Sequence, residues 1–413
     1  MKEKLLNWID NSAGLAIELE TELTKRPAIS PESGGEGELD KCLFLEEWLK
    51  QHGITQLERF DAPDPNAKGG IRPNLIATIT GEDDTKERLW IMSHLDVVPP
   101  GEEKLWESDP WTVVYKDDPP GPRLIGRGVE DNQQGLVSSV LAALAFTSQG
   151  IKPARTLKLL FVSDEEVGSA YGIEWLVTHH KDLFKKDDMV LVPDGGDPKA
   201  IFIEVAEKNI LWVKFTTIGK QAHGSKPDLG TNALLAGSEL ALCLHFELSA
   251  EFYEHDPLFD PDYSTFQPTK KEANVPNINT IPGADVFYMD MRVLPIYSTE
   301  SIFKEIDNII EIIQEKHGVK IEYDIIQKME SKPTSPDALI VKILDNAIRE
   351  VYAVDPKPKG IGGGTVAAHL RNIEIDCAVW TKTDQTLHQP NEYVLLDNLL
   401  GDAKVMALLA SSK

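Results

Sequence analysis

The sequence predicts an α/β protein in which a central mixed sheet flanked by helices is interrupted by a smaller inserted α+β domain. Three observations lead there. Apolar runs at 89–92, 157–162 and 189–193 each end in a polar turn, as buried strands of an α/β sheet do. Residues 209–330 change pattern and read β-α-β-α-β. The α/β pattern then resumes at 337–351, so residues 331–413 must fold back onto residues 1–208 and leave 209–330 as an insertion.

The first run, RLWIMSHLD, delivers His94 and Asp96 at the carboxyl end of its strand. Residues two apart face one side of a strand, so His94 could bind a metal through one ring nitrogen while Asp96 accepts the other N–H. Taken alone, His-x-Asp reads equally as a satisfied histidine at a strand end. GRGVEDNQQG, residues 126–135, is a polar turn ahead of the apolar helix LVSSVLAALAF, with Asp131 near the helix start. An acid that complements the helix dipole is the other reading of Asp131.

TLKLLFVSDEEVGS, residues 156–169, repeats the arrangement with Asp164, Glu165 and Glu166 side by side. Water or a helix start relieves the repulsion of adjacent acids; a bound dication relieves it more strongly and leaves one acid free for proton transfer. DMVLVPDGG, residues 188–196, ends a further strand in Asp194, with two glycines that permit close backbone approach. Far downstream, strand-like residues 375–380 lead through a polar loop to His388, and Pro390 keeps that loop out of a helix. Ligands gather at the carboxyl ends of strands in open α/β sheets, so five such placements support one another.

Two histidines and three carboxylates suit two divalent metals, zinc first, with cobalt or manganese as alternatives for the same donors. The expected division gives His94 and Asp194 to one metal and Glu166 and His388 to the other. Asp131 bridges both, with a water shared between them. Glu165 is then the base that takes that water's proton and later protonates a leaving amine.

In this order, SHLDVVP, GRGVEDNQQG, DEEVGS, PDGG, QAHGSKP and LHQPNE span nearly the whole chain. Together they resemble the co-catalytic dinuclear zinc metallopeptidase family of aminoacylases, glutamate carboxypeptidases, dipeptidases and succinyl-diaminopimelate desuccinylases. The resemblance implies a zinc-peptidase-like catalytic domain. It gives the metal ligands and Glu165 the roles argued above and makes Asp96 the orienting aspartate. One departure stands out: many relatives carry Met-Lys-Gly after the bridging aspartate, where this chain has Asn132, Gln133, Gln134 and Gly135.

The resemblance also makes 209–330 a lid that pairs two subunits. NILWVKFTTIG and VFYMDMRVL alternate as sheet strands, TNALLAGSELALCLHF and SIFKEIDNIIEIIQEKHG carry helical spacing, and 251–276 reads as a Pro- and Asp-rich loop. By resemblance, His223 in QAHGSKP reaches the partner's active site and helps stabilise an oxyanion; a surface histidine in a turn is the competing reading. Asn279 and Arg292 are similar to lid residues that hold a substrate carboxylate, a task a guanidinium fork suits. Arg292 could instead simply pair with Asp290. In GIGGGTVAAHLR, residues 360–371, Gly362, Gly363 and Gly364 offer backbone donors before a helix start, the first two for substrate, and no lysine follows to make a phosphate loop.

Composition narrows the partners. Lysine and arginine total 42 against 67 acids, a net charge of −25, which argues against nucleic acid and anionic membranes. Three scattered cysteines, Cys42, Cys243 and Cys377, indicate neither a disulfide framework nor a cysteine metal site. The first 27 residues read as an amphipathic helix interrupted by charges rather than a secretory signal, so a cytoplasmic enzyme is expected. The expected function is hydrolysis of an amide or peptide bond next to a free carboxylate. Substrates would be N-acyl amino acids, N-succinyl-diaminopimelate or short peptides, the enzyme acting as a deacylase, dipeptidase or carboxypeptidase. A catalytically silent amino-acid-binding protein on the same fold is the alternative, and it would have lost a ligand or the base.

Overall fold

The computed structural model describes residues 1–83 and 85–412. They form two compact units. The first comprises Met1–Val205, Thr334–Lys359 and His369–Lys413; the second comprises Ala206–Pro333 and Gly360–Ala368.

The first unit is a mixed α/β structure on an eight-stranded sheet. Its middle strands are the apolar runs that stand out in the sequence. Leu89–His94 pairs parallel with Leu157–Val162 on one side and Met189–Gly196 on the other, and Asp376–Thr381 adds parallel to the last. Two antiparallel strands, Ile71–Ile79 and then Leu57–Pro63, extend the other edge and make the sheet mixed. Every residue of Leu89–His94 is buried, which is why that run shows no alternation of polar and apolar positions. The helix Gln133–Ser148, with 133–146 wholly buried, packs against the helix Leu396–Ser411. A burial that complete accounts for a helix apolar all round, with no amphipathic stripe. The amino-terminal stretch forms two helices, Lys2–Asp10 and Ala13–Thr24, that break at Asn11 and Ser12.

Two close approaches hold the carboxyl edge of this sheet together. A Cβ on Gly196 would lie 1.8 Å from the carbonyl oxygen of Thr381 on the neighbouring strand. One on Gly135, in the first turn of the helix Gln133–Ser148, would lie 2.5 Å from the carbonyl oxygen of Pro193. Only glycine lets the strand end that carries Asp194 sit this near both neighbours.

The second unit is a four-stranded antiparallel sheet in the order Thr265–Lys271, Ala284–Val293, Asn209–Ile218, Lys320–Met329. The helices Ala233–Glu251 and Thr299–His317 complete its core with Leu240, Leu244, Ile306 and Ile310. Both helices begin with a side-chain cap, Asn232 accepting from the Leu235 N–H and Ser298 from that of Ser301. The second helix ends at Gly318, in the left-handed conformation. The helix Ala233–Glu251 has the length and mean hydropathy of a membrane span, yet its Ala236, Leu240, Leu244 and Leu248 are buried in this core.

Two differences from the sequence reading appear here. Residues 265–271 form an edge strand, not part of a loop. Pro268, at a register shift against Ala284–Val293, and the exposed Lys270 and Lys271 erase the alternation that marks a strand, as suits an edge. The glycine loop also groups with the second unit. The Lys208 N–H donates to the Ile361 carbonyl at 2.9 Å, and the Thr365 hydroxyl donates to Glu207 at 2.6 Å.

Candidate metal centre

The carboxyl ends of the central strands bring six acidic and histidine side chains of the first unit to one place. His94 ends the strand Leu89–His94 and is buried; Glu165 and Glu166 form a single turn directly after Leu157–Val162; Asp194 lies near the end of Met189–Gly196. Asp131 precedes the helix Gln133–Ser148, and His388 sits in the loop after Asp376–Thr381. His94, Asp131 and Glu166 present ligand atoms within 4.8 Å of one another, and so do His94, Glu165 and Asp194.

Asp131 stands between the histidines. Its Oδ1 is 3.0 Å from Nε2 of His94 and its Oδ2 is 3.0 Å from Nε2 of His388. The same nitrogen of His94 has Asp194 Oδ1 at 3.6 Å, and that of His388 has Glu166 Oε2 at 3.1 Å. The other oxygen of Glu166 is buried with no hydrogen-bond partner among the described residues. A buried carboxylate oxygen left unpaired beside two imidazoles and further carboxylates suits a divalent cation, the partner such a donor set normally takes.

The protonation pattern follows from this crowding. Burial opposes a charge on His94, but the Asp194 carboxylate and hydrogen bonds to Asp131 outweigh it and raise its pKa well above the usual value. His388 is pushed up to about 10 by its hydrogen bonds to Asp131 and Glu166. Burial raises Asp131 as well, but the two histidines more than offset that and hold it low. Glu165 is lifted well above the ordinary carboxylate range by burial and then by the nearby Asp194 charge.

The three consecutive acids part ways. Asp164 lies 3.1 Å from Nη2 of the buried Arg72 and accepts the Tyr171 N–H, so it braces the turn and leaves Glu165 and Glu166 to face the site. Asp96 differs in detail from the expectation. The nearest partner of His94 Nδ1 is the main-chain carbonyl of Asp96 at 2.9 Å, with its carboxylate at 3.5 Å. That carboxylate accepts the N–H groups of Glu165 and Glu166 at 3.1 and 3.0 Å. Asp96 thus positions the acidic turn at least as much as the histidine ring.

Several residues at the site carry no signal in the sequence. Asn132 donates from Nδ2 to the Pro193 carbonyl at 2.6 Å and to Asp194 at 2.8 Å, while its Oδ1 accepts the His94 N–H at 3.3 Å. It thereby ties His94 to Asp194 at the position where this chain departs from the common motif. Glu130 and Glu392 are buried carboxylates that accept main-chain N–H groups from the loops around the site. Gln385, His388 and Asn391 all have left-handed backbones, a local strain held in place by those bonds. A cavity of about 360 Å³ opens beside Asp131, Asn132 and Asp194 and is walled further by Thr383, Gln385 and Leu387.

Similarity to known proteins now bears on this geometry. Residues 90–412 match the model of peptidase family M20/M25/M40. The chain belongs to that family. It is 39% identical to an uncharacterized metallohydrolase of Methanococcus maripaludis over 94% of this chain and 97% of that one. It is 26% identical to a succinyl-diaminopimelate desuccinylase of Coxiella burnetii over 74% of this chain and 79% of the other. The M20 family metallo-carboxypeptidase Sso-CP2 of Sulfolobus solfataricus has the same fold, with a TM-score of 0.71 at 18% identity, covering 96% of this chain and 98% of that one. The protein is a metal-dependent hydrolase of the M20 fold.

The remaining candidates lie in the second unit. His223 and Asn279 fall on the two sides of a short ribbon, Ala222–His223 against Thr280–Ile281, closed by a Gly224 N–H bond to the Asn279 carbonyl at 2.7 Å. Nδ1 of His223 accepts the Ser225 N–H at 3.1 Å. Arg292 engages Asp290 through Nε and Nη2, as the plainer reading expected, and its Nη1 donates to the Gly362 carbonyl at 2.8 Å. Of its five N–H groups, two have no hydrogen-bond partner among the described residues, one on each terminal nitrogen.

Proposed function

We propose that this M20 hydrolase uses two divalent ions, zinc in the first instance, to cleave an amide or peptide bond next to a free carboxylate. His94 and Asp194 would hold one ion, Glu166 and His388 the other, and Asp131 both. The observation that carries the reading is the placement of Asp131, one oxygen 3.0 Å from each of two histidines that have different second carboxylates. When bound, such ions polarise a carbonyl and acidify water at neutral pH.

Glu165 lies beside this set without being needed as a ligand and serves as the base. It takes the proton of the attacking water and returns it to the leaving amine. Its pKa, raised by burial and by Asp194, favours such two-way transfer once nearby positive charge brings it down. Within the second unit, Arg292 would hold a substrate carboxylate, with Asn279 and the main-chain groups at Gly362 and Gly363 as further substrate-binding residues; within the first, the cavity near Asp131 would accommodate the acyl or side-chain group. A desuccinylase among the relatives supports an N-acyl amino acid, N-succinyl-diaminopimelate included; a metallo-carboxypeptidase and human carnosine dipeptidase 1 among the structural neighbours keep short peptides in view.

The same reading makes the second unit a dimerisation lid. Leu235, Leu242 and Phe246 lie exposed along the helix Ala233–Glu251, and the strand Thr265–Lys271 is at the edge of its sheet, with its Phe266 carbonyl bonded to the His245 ring. A partner seated there would receive His223 near its own metal centre, where that side chain stabilises the developing oxyanion. The test is Glu165→Gln. Turnover should fall at least 10²- to 10⁴-fold, the usual contribution of a general base, while the metal content stays at the wild-type level. A variant that keeps wild-type kcat removes Glu165 from this role.

A further inference from the structure

The loop that carries Asp131 and the loop that carries His388 are each held by a buried carboxylate that belongs to the other. Glu392, four residues after His388, is fully buried. Its Oε1 accepts the N–H groups of Glu130 at 2.9 Å and Asp131 at 3.0 Å; its Oε2 accepts the Gly128 N–H at 2.9 Å and Nη1 of Arg127 at 2.6 Å. Glu130, the residue before Asp131, reaches the opposite way. Its Oε1 accepts the Thr383 hydroxyl at 2.5 Å, the Asp384 N–H at 2.7 Å and the Gln385 N–H at 3.1 Å. Its Oε2 accepts the hydroxyl of Thr386 at 2.7 Å and that residue's N–H.

We propose that Glu130 and Glu392 are positioning residues forming a reciprocal clamp, which fixes His388 against Asp131 and so sets the affinity of the Glu166–His388 metal position. The proposal rests on the two-metal reading and adds to it. Neither carboxylate faces the metal ligands' open sides, since the oxygens of both are occupied by N–H and O–H donors. Their effect therefore passes through the backbone. Charged acceptors that gather several buried N–H groups are strong and directional, and removing one leaves those donors unpaired. The clamp also explains how the loop tolerates left-handed backbones at Gln385, His388 and Asn391: main-chain donors before His388 are pinned by Glu130, and the Glu392 side chain anchors the chain after it.

The two halves are not equivalent in consequence. Glu130 pins only the segment before His388, so its loss should disturb one metal position. Glu392 pins the segment that carries Asp131, which touches both. The experiment is a titration of metal-depleted full-length protein with Co²⁺, read by calorimetry and by visible absorption, for the wild type and Glu130→Gln. Glutamine keeps the size but replaces one acceptor oxygen with a donor that faces other donors. The expected result is one equivalent bound as in the wild type with an unchanged spectrum, and a second weakened 10- to 100-fold with an altered spectrum, the range typical of residues behind a ligand.

A purely structural role would lower the melting temperature and leave both equivalents and both spectra alike, and that result overturns the clamp. Should Glu130→Gln fail to fold, Thr383→Val removes one of its partners, and weakening of the same equivalent several-fold is expected; two unchanged equivalents overturn the proposal. A wild type that binds fewer than two equivalents overturns the two-metal reading itself. Two tight wild-type equivalents with no selective loss in the variants overturn the clamp alone.

Discussion

The close approach of the helix Gln133–Ser148 to the strand Met189–Gly196 makes Gly135→Ala an informative change. The new methyl group would meet the Pro193 carbonyl oxygen at 2.5 Å and two ring carbons of Pro193 at 2.7 and 3.0 Å. These partners are a main-chain oxygen and a closed proline ring, so no flexible side chain can turn away. To bring the carbonyl contact out to 3.0 Å, the closest that real Cβ atoms keep, helix and strand must separate by at least about 0.5 Å. That carbonyl also accepts the Asn132 amide at 2.6 Å, and the next residue is Asp194. Strain of this kind in a packed interior costs about 1–3 kcal/mol. A half-ångström shift of a ligand's support is comparable to losing a residue behind it, which weakens metal about 10- to 100-fold.

The assay pairs thermal denaturation of the metal-depleted protein with a metal titration. Gly135→Ala should lower both the melting temperature and the affinity. Gly14→Ala, in the helix Ala13–Thr24 with nothing among the described residues within 4 Å of the added methyl apart from its neighbours and its own helix backbone, should stabilise by roughly 0.5–1 kcal/mol and leave metal binding alone. A Gly135→Ala protein with wild-type stability and wild-type affinity would refute the argument that this contact sets the position of Asp194.

Further outcomes follow from the site and from the proposed lid. Because His388 in the metal-free protein is raised to about 10, it is protonated at neutral pH, and a metal must displace that proton. Apparent affinity should therefore rise with pH between about 6.5 and 10, with proton release visible in calorimetry run in buffers of different ionisation enthalpy. The same sign means that the stabilisation from His388 in the metal-free protein is complete below about 6.5 and lost as pH rises through about 10. Phe246→Asp, in the middle of the exposed apolar face, should yield monomers in analytical ultracentrifugation, with turnover lost if His223 acts across subunits; His223→Ala should lose turnover with the dimer intact.

Much of the first unit was legible because buried parallel strands announce themselves as largely apolar runs, and 89–92, 157–162, interrupted only by Lys158, and 189–193 all became strands of its sheet. The ligand candidates at their ends were legible for the same reason: once the strand ends are placed, His94, Glu166 and Asp194 fall on one edge. Asp131 and His388 joined them through loops, where spacing says little and only the residue types could speak. The strand Thr265–Lys271 stayed hidden because an edge strand is written in proline and lysine. Glu130, Asn132 and Glu392 stayed hidden for another reason. A buried carboxylate or amide that gathers main-chain N–H groups leaves no period and no fixed distance to its partners, 250 residues or more away for the two glutamates. Nor could sequence show that Asp96 offers His94 its carbonyl at least as closely as its carboxylate.

The central claim is metal-assisted cleavage by the cluster around Asp131. It is tested most directly by presenting metal-depleted protein, before and after addition of zinc, cobalt or manganese, with N-acetyl amino acids, N-succinyl-diaminopimelate and dipeptides. The account predicts no cleavage without metal and restored cleavage of at least one substrate bearing a free carboxylate, saturating near two equivalents. Two tightly bound equivalents with silence across the whole panel, or cleavage that persists without metal, would contradict it.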